Sequence, residues 1–208
     1  GPADRAGLKL GDGLVRVNGV QTSIPYASEL GGFRAGLPNT VQVDRMDAAY
    51  FEVTLTPDRT PPPPFRTEMI DGGIAYVRLY SFPSALASSA GDRPFLARFD
   101  EALASLKAAH PRAWILDLRT NPGGDVLTAS LVAGRFGLQG AFAELSGRHA
   151  ETQKMVATGQ SVLAGAPLAV LLNWESASAA EILGEAIKES GDGVVLGIRT
   201  RGAVGVAT

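Results

Sequence analysis

Through the first 57 residues, hydrophobic positions come in short runs broken by glycine, and the runs "LVRVNG", "NTVQVDR" and "YFEVTLT" each predict a short strand. Within them "VQVD" and "FEVTLT" alternate apolar and polar residues with period two, the pattern of a half-buried strand. A short helix is predicted between Thr22 and Gly36. The stretch "TPDRTPPPPF" then interrupts the pattern, because successive prolines lack the N–H groups that a helix or sheet requires and favour a stiff extended linker. Beyond it "GGIAYVRLYSF" predicts a strand, and "RPFLARFDEALASLKAAH" spaces apolar residues at helical intervals from Phe95 to Leu106. "AWILDLR", "PLAVLLN" and "GVVLGI" are short apolar runs that fit buried strands. "NPGGDVLTASLVAGRFG" reads as a turn feeding a helix, and another helix begins near Ser178. Strand and helix alternate at the spacing of βαβ units, which predicts an α/β fold with a partly parallel sheet, flanking helices and functional loops at the carboxyl ends of strands. The expected organisation is a β-rich domain over 1–58, a proline-rich linker over 59–67 and an α/β domain over 68–208.

Composition narrows the function. The chain has 208 residues and 45% apolar content, enough for a substantial core, and a formal net charge of −2. No basic stripe is present to neutralise phosphates, so nucleic acid is not an expected partner. The absence of cysteine excludes disulfides, thiol nucleophiles and Cys-ligated zinc. Only His110 and His149 supply imidazole, and no His, Asp and Glu cluster has metal-ligand spacing, so neither metal nor cofactor is expected. No apolar run reaches the length of about eighteen residues that spans a bilayer. The chain opens inside what reads as a domain and ends in an apolar, β-prone stretch, so further strands are expected after Thr208.

Two loops could carry chemistry, each following a predicted buried strand and leading into a helix. In "DLRTNPGGD", residues 117–125, two glycines let backbone amides approach a ligand or an oxyanion. The loop lacks the lysine and hydroxyl of a phosphate-binding loop, which argues against nucleotide. In "NWESASAAE", residues 173–181, serines stand at a helix mouth, where unpaired amides and the helix dipole stabilise negative charge. Taken alone, each motif has a plain structural reading. Ser178 and Glu181 fit the capping box S-x-x-E, and N-P-G-G fits a tight turn. Their joint occurrence after buried strands about fifty residues apart favours chemistry.

The blocks "GGIAYVRLYSF", "AWILDLRTNPGGDVLTASLVAGRF" and "PLAVLLNWESASAAEILGEAIKESGDGVVLGIRTRG" resemble, in order, the serine-protease domain of the carboxyl-terminal processing peptidases, or tail-specific proteases. "GPADRAGLKLGDGLVRVNG" resembles their PDZ module, without the glycine-rich carboxylate-binding loop that normally precedes it. The resemblance implies a crotonase-like α/β protease domain after a partial PDZ-like domain. It makes Ser178 the nucleophile and Ser176 a loop neighbour. It also implies an oxyanion pocket of backbone amides around Gly123, Gly124 and Ala179, with Glu181 and Thr200 in support. Protein or peptide C-terminal tails would be the partners, and the bacterial cell envelope the place of work.

Two positions depart from the family pattern. Where family members carry lysine in T-x-G-K as the base for serine, this chain reads "TRGAV", which puts Ala203 at the lysine position. An acidic residue eleven after the serine is Glu189 rather than aspartate. Three explanations stand open: an engineered lysine-to-alanine change, a natural subgroup with another base, or a degenerate protease that binds tails without cutting. Other candidate bases are Lys188, Lys154, His149 and His110. Lys188 lies ten residues past Ser178 on the same predicted helix, about 15 Å along its axis, which disfavours it. The rival readings are a non-catalytic tail-binding or scaffolding protein and a crotonase-like hydrolase of another kind, the latter opposed by the PDZ-like block.

Overall fold

The structure, a computed structural model, describes residues 1–9, 11–21, 34, 36–46, 48–57, 63–84, 94–147 and 150–204. The chain divides into two units, Gly1–Pro62 and Pro63–Thr208.

In the first unit a single helical turn, α1 (Pro2–Arg5), precedes β1 (Gly13–Val17), β2 (Val20–Gln21), β3 (Asn39–Asp44) and β4 (Phe51–Leu55). They form an antiparallel sheet in the order β2-β1-β3-β4. Asn18 and Gly19 join β1 to β2 with φ of 51° and 80°, the positive pair that a two-residue hairpin turn requires. The expected period two is realised: Val41 and Val43 of β3 point inward with Val17 and Leu55, while Thr40 and Asp44 face solvent. The helix expected between Thr22 and Gly36 falls almost wholly outside the described residues, as do 58–62 of the proline-rich stretch.

The second unit is α/β with a partly parallel sheet. It runs β5 (Phe65–Ile70), β6 (Ile74–Leu79), α2 (Phe95–Ala108), β7 (Ala113–Asp117) and α3 (Val126–Arg135). Then follow β8 (Gly140–Gly147), β9 (Ala150–Ala157), β10 (Leu168–Leu172), α4 (Ala179–Ser190) and β11 (Val194–Gly197). Five strands pair in the order β11-β10-β7-β6-β5, parallel throughout except for the β5–β6 hairpin. The helical spacing read in the sequence turns Phe95, Phe99, Leu103 and Leu106 of α2 into the core, where Phe65 packs edge-on against both phenylalanines. Leu183 and Ile187 of α4 and Val132 of α3 join the same cluster, with Val77, Leu116 and Val170 from the strands.

The structure departs from expectation in three places. Residues 65–67, expected in the linker, already belong to β5 and pair with β6. "GVVLGI", expected as a buried strand, forms β11 at the end of the strand order, with Val194 and Leu196 more than half exposed. A short apolar run states only that a strand is hydrophobic, not that it has neighbours on both sides. Residues 140–157, for which the sequence pattern predicts no element, form the antiparallel hairpin β8–β9. Two register shifts in it disrupt strict alternation, so no period-two signal marks these strands.

Candidate active site

β7 and β10 are parallel neighbours, paired from Leu168↔Trp114 to Leu171↔Asp117, so the loops that leave their carboxyl ends emerge side by side. The pairing continues past the strands as a seam between the loops. The Leu118 amide donates to the Leu171 carbonyl (2.9 Å), and the Ser176 hydroxyl donates to the Leu118 carbonyl (2.8 Å). The Thr120 amide donates to Asn173 Oδ1 (2.9 Å), and the Ala177 amide to the Asn121 carbonyl (3.0 Å). Ser176 is fully buried and also accepts the Asn173 amide (3.0 Å), so this serine ties the loops together rather than facing solvent. Asn121, also fully buried, donates from Nδ2 to the Leu79 carbonyl and accepts the Gly123 amide on Oδ1 (2.8 Å).

At the end of the seam Gly123 meets Ser178. A Cβ on Gly123, whose φ is 99°, would lie 2.7 Å from Ser178 Cβ and 2.8 Å from the Ala177 carbonyl oxygen. Only glycine permits this approach. Gly124 is pressed equally closely on the Phe82 backbone, where a Cβ would come within 2.3 Å of the carbonyl oxygen. The Gly123 amide is taken by Asn121. Among the described residues the amides of Gly124 and Ala179 make no hydrogen bond, which leaves two unpaired donors, one directly after Ser178 in the chain and one directly after Gly123 in the loop.

Ser178 itself has φ 53° and ψ −124°. An ordinary N-cap residue occupies the β region. The observed pair lies outside both the β and the left-handed helical wells, a conformation that costs about 1–3 kcal/mol and persists only where its surroundings impose it. Capping geometry is present as well, since Glu181 Oε2 accepts the Ser178 amide (2.9 Å) at the start of α4. The Glu181 amide reaches the Ser178 main-chain carbonyl (2.9 Å). Capping therefore accounts for Glu181 but not for the strained turn at a partly exposed serine.

Glu181 also gathers the segment that carries Ala203. Its Oε1 accepts the Gly202 amide (2.6 Å), its Oε2 accepts the Ala203 amide (2.9 Å), and the Thr200 hydroxyl hydrogen-bonds the same carboxylate. Burial pushes the carboxyl up, but the bonds from Thr200, Gly202, Ala203 and Ser178 outweigh it and hold Glu181 below its ordinary value. Because one oxygen receives both the Ser178 and Ala203 amides, those two nitrogens lie within twice 2.9 Å of each other. Position 203 is thereby docked at the serine turn.

Behind the first loop, buried Asp117 accepts two bonds from the Arg119 guanidinium, one from the Arg119 amide and one from the Tyr76 hydroxyl. Burial pushes the Asp117 carboxyl up, but these donors hold it below the usual range. The loop thus springs from a rigid ionic anchor at the end of β7.

The candidates disperse from there. Ser178, Ala179, Glu181, Thr200, Ala203 and Gly123 converge, with Gly124 next in the loop. Glu189 sits exposed in the last turn of α4, where it borders a cleft of about 460 Å3 whose near end reaches Glu181 and Thr200. Lys188 is exposed and bonded to Glu185 (3.2 Å), and Lys154 is exposed beside Glu144 (3.4 Å). His110 is an exposed residue at φ 51° just past α2, and His149 lies outside the described residues. Asn121, Asn173 and Asp117 were not singled out from sequence, although all three stand inside the motifs quoted above. Among the described residues no group of three or more His, Cys, Asp or Glu could hold a metal ion, and no helix is long and apolar enough to cross a membrane.

Residues 73–208 match the family model described as Peptidase family S41. The chain belongs to this peptidase family. The S41 assignment agrees with relatives along the whole chain. Carboxyl-terminal-processing peptidase 1 of Arabidopsis thaliana, a chloroplastic protein, is 30% identical over 212 residues, covering 96% of this chain and 41% of the relative. The carboxy-terminal processing protease CtpA of Bacillus subtilis is 28% identical over 211 residues, covering 100% and 43%. The chain thus spans about two fifths of the length of these curated relatives. Among solved structures, the photosystem II D1 C-terminal processing protease aligns with a TM-score of 0.65 at 27% identity, covering 98% of this chain and 55% of that one. Mature CPAF complexed with lactacystin aligns with a TM-score of 0.52 at 13% identity, covering 97% and 66%, a likeness of fold alone.

Proposed function

We propose that this chain carries the catalytic centre of a serine endopeptidase that cleaves proteins near their C-terminal tails. In this reading Ser178 Oγ gives its proton to a base and attacks the scissile carbonyl carbon, and the amides of Gly124 and Ala179 hold the developing oxyanion. The C–N bond breaks as the leaving amine takes a proton, and water releases the acyl group from Ser178. The amide after the nucleophile is a usual oxyanion donor in strand-turn-helix serine sites, which favours Ala179. The observation that carries the reading is the turn at Ser178, held at φ 53° and ψ −124° against Gly123, a conformation that capping does not require. Glu181 and Thr200 are its supports, because they fix the 200–203 segment to the serine turn. Residues 1–58 act as a PDZ-like module that presents tails by adding them to a sheet edge. An extracytoplasmic compartment fits this role, and the relatives are chloroplastic or bacterial.

The base decides between this reading and its rival. Among the described residues alanine at 203 offers no amine, Lys188 and Lys154 are exposed beside glutamates, and His110 precedes β7, whose opposite end carries the loop. This favours a chain that binds tails without cutting them unless His149, outside the described residues, supplies the base. Fluorophosphonate labelling of the parent, Ser178→Ala and Ala203→Lys separates the two. Labelling that appears in Ala203→Lys and vanishes in its Ser178→Ala double variant supports a serine/lysine protease site lacking its base in this chain. Labelling of the parent that vanishes in Ser178→Ala supports a different base. No labelling of any variant sinks the catalytic reading in favour of the tail-binding one.

A further inference from the structure

Resting on that reading, we infer that Asn173 is a positioning residue, whose side-chain carbonyl holds the oxyanion loop at the correct distance from Ser178. Asn173 stands first in the loop after β10 and closes a turn with Ser176. Its carbonyl accepts the Ser176 amide (2.9 Å), and its amide reaches the Ser176 hydroxyl (3.0 Å). The Ser176 hydroxyl has one proton, and its distance to the Leu118 carbonyl (2.8 Å) is shorter than to Asn173 Oδ1 (3.2 Å), so the proton goes to Leu118. Asn173 Oδ1 then serves two amides, Glu175 in its own loop (3.2 Å) and Thr120 across the seam (2.9 Å).

Thr120 needs such a partner. Its φ is 63°, a conformation rarely adopted by a β-branched residue and costing about 1–3 kcal/mol. The bend at Thr120 returns the chain inward, so that Asn121 can accept the Ala177 amide on its carbonyl and the Gly123 amide on Oδ1. Asn173 therefore acts on the chemistry through Thr120 and Asn121, which set where the Gly124 amide lies relative to Ser178. It touches no reacting atom. The predicted consequence is selective: losing the acceptor weakens stabilisation of a tetrahedral adduct and leaves ground-state peptide binding intact.

The test compares Asn173→Leu, which has the same branched heavy-atom connectivity but no acceptor, with Asn173→Asp, which keeps an oxygen in place. Each is made in the parent and in Ala203→Lys. The probes are a tripeptide boronic acid ending in boroalanine, which forms a tetrahedral adduct on serine, and the amide of the same tripeptide. Asn173→Leu should lose about tenfold or more in boronate affinity with amide binding unchanged, and Asn173→Asp should recover most of that loss. Hydrogen exchange at the Thr120 amide should accelerate in the leucine variant and stay slow in the aspartate variant. The inference is overturned if Asn173→Leu binds the boronate as tightly as the parent, or if Asn173→Asp falls as far as leucine. Absence of an adduct in both backgrounds instead overturns the serine-nucleophile reading and the catalytic role of Asn173 with it, an outcome distinct from an adduct that forms and ignores Asn173.

Discussion

Gly123 shows how little room the Ser178 turn has. Its missing Cβ would overlap Ser178 Cβ at 2.7 Å, and its φ of 99° disfavours any other residue. Gly123→Ala must push the serine turn away, so a loss of about 2–4 kcal/mol is expected together with loss of any labelling at Ser178. Gly191→Ala is the control. There φ is 76° but nothing lies within 4 Å, so only the backbone term of about 1 kcal/mol applies. Urea midpoints of the two variants check the contrast, and equal losses would refute it. Glu181 gives a prediction about pH. Its folded-state carboxyl is held below the ordinary value of 4.5, so the unfolded chain binds more protons in acid. Its contribution is then complete above that value and drains as pH falls through the lower folded value. Melting temperatures from about pH 7 to about pH 3 should show the parent losing more than Glu181→Gln in the acid range, with the gap between them closing. A constant gap would mean that the charge of Glu181 does not hold the 200–203 segment.

At the scale of elements, α3 carries the first loop into the core, and Gly134 sets how closely it can pack. A Cβ there would sit 2.1 Å from the Thr158 carbonyl oxygen. Alanine gains about 1 kcal/mol of helix propensity over glycine, but overpacking against backbone costs about 1–3 kcal/mol and has no flexible neighbour to relieve it. Gly134→Ala should therefore lower stability, opposite in sign to the propensity expectation, and a urea titration reads that sign directly. The same distinction explains what was legible in the sequence. The strands around "AWILDLR" and "PLAVLLN" and the helices with Phe99 and Leu183 follow from periodicity, because burial on one face leaves a regular imprint. The hairpin β8–β9 left none, since its register shifts break alternation. β11 forms where the apolar run implies a strand, and its place at the end of the strand order within these 208 residues is something hydrophobicity does not report. Of the site, Ser178, Gly123, Glu181 and Thr200 came from motif resemblance, whereas the roles of Asn121 and Asn173 depend on contacts across about fifty residues of chain that no local pattern encodes.

At the scale of the whole molecule, the two units keep separate cores of very different size. Among the described residues the first unit's fully formed cluster is Val17, Val41, Val43 and Leu55, with a few partly buried neighbours. The second gathers Trp114, Phe99, Phe136 and many aliphatic side chains around a five-stranded sheet. A unit of about sixty residues buries a smaller fraction of its surface and is correspondingly marginal. Calorimetry of the full chain should therefore resolve two transitions, with the first unit melting earlier. Val41→Ala, which empties a fully buried position, should lower only that earlier transition by removing about 2–3 kcal/mol. Residues 63–208 alone should keep the later one. Every residue assigned to the serine site lies in that second unit, so labelling of an Ala203→Lys form of 63–208 should match that of the 208-residue Ala203→Lys chain, while the proposed PDZ-like role of residues 1–58 predicts that binding of a tail peptide is lost. A single transition that shifts as a whole with Val41→Ala would show instead that the units melt as one. The serine site would then depend on the first unit for its stability, and any effect of tail binding on Ser178 would have a direct thermodynamic route.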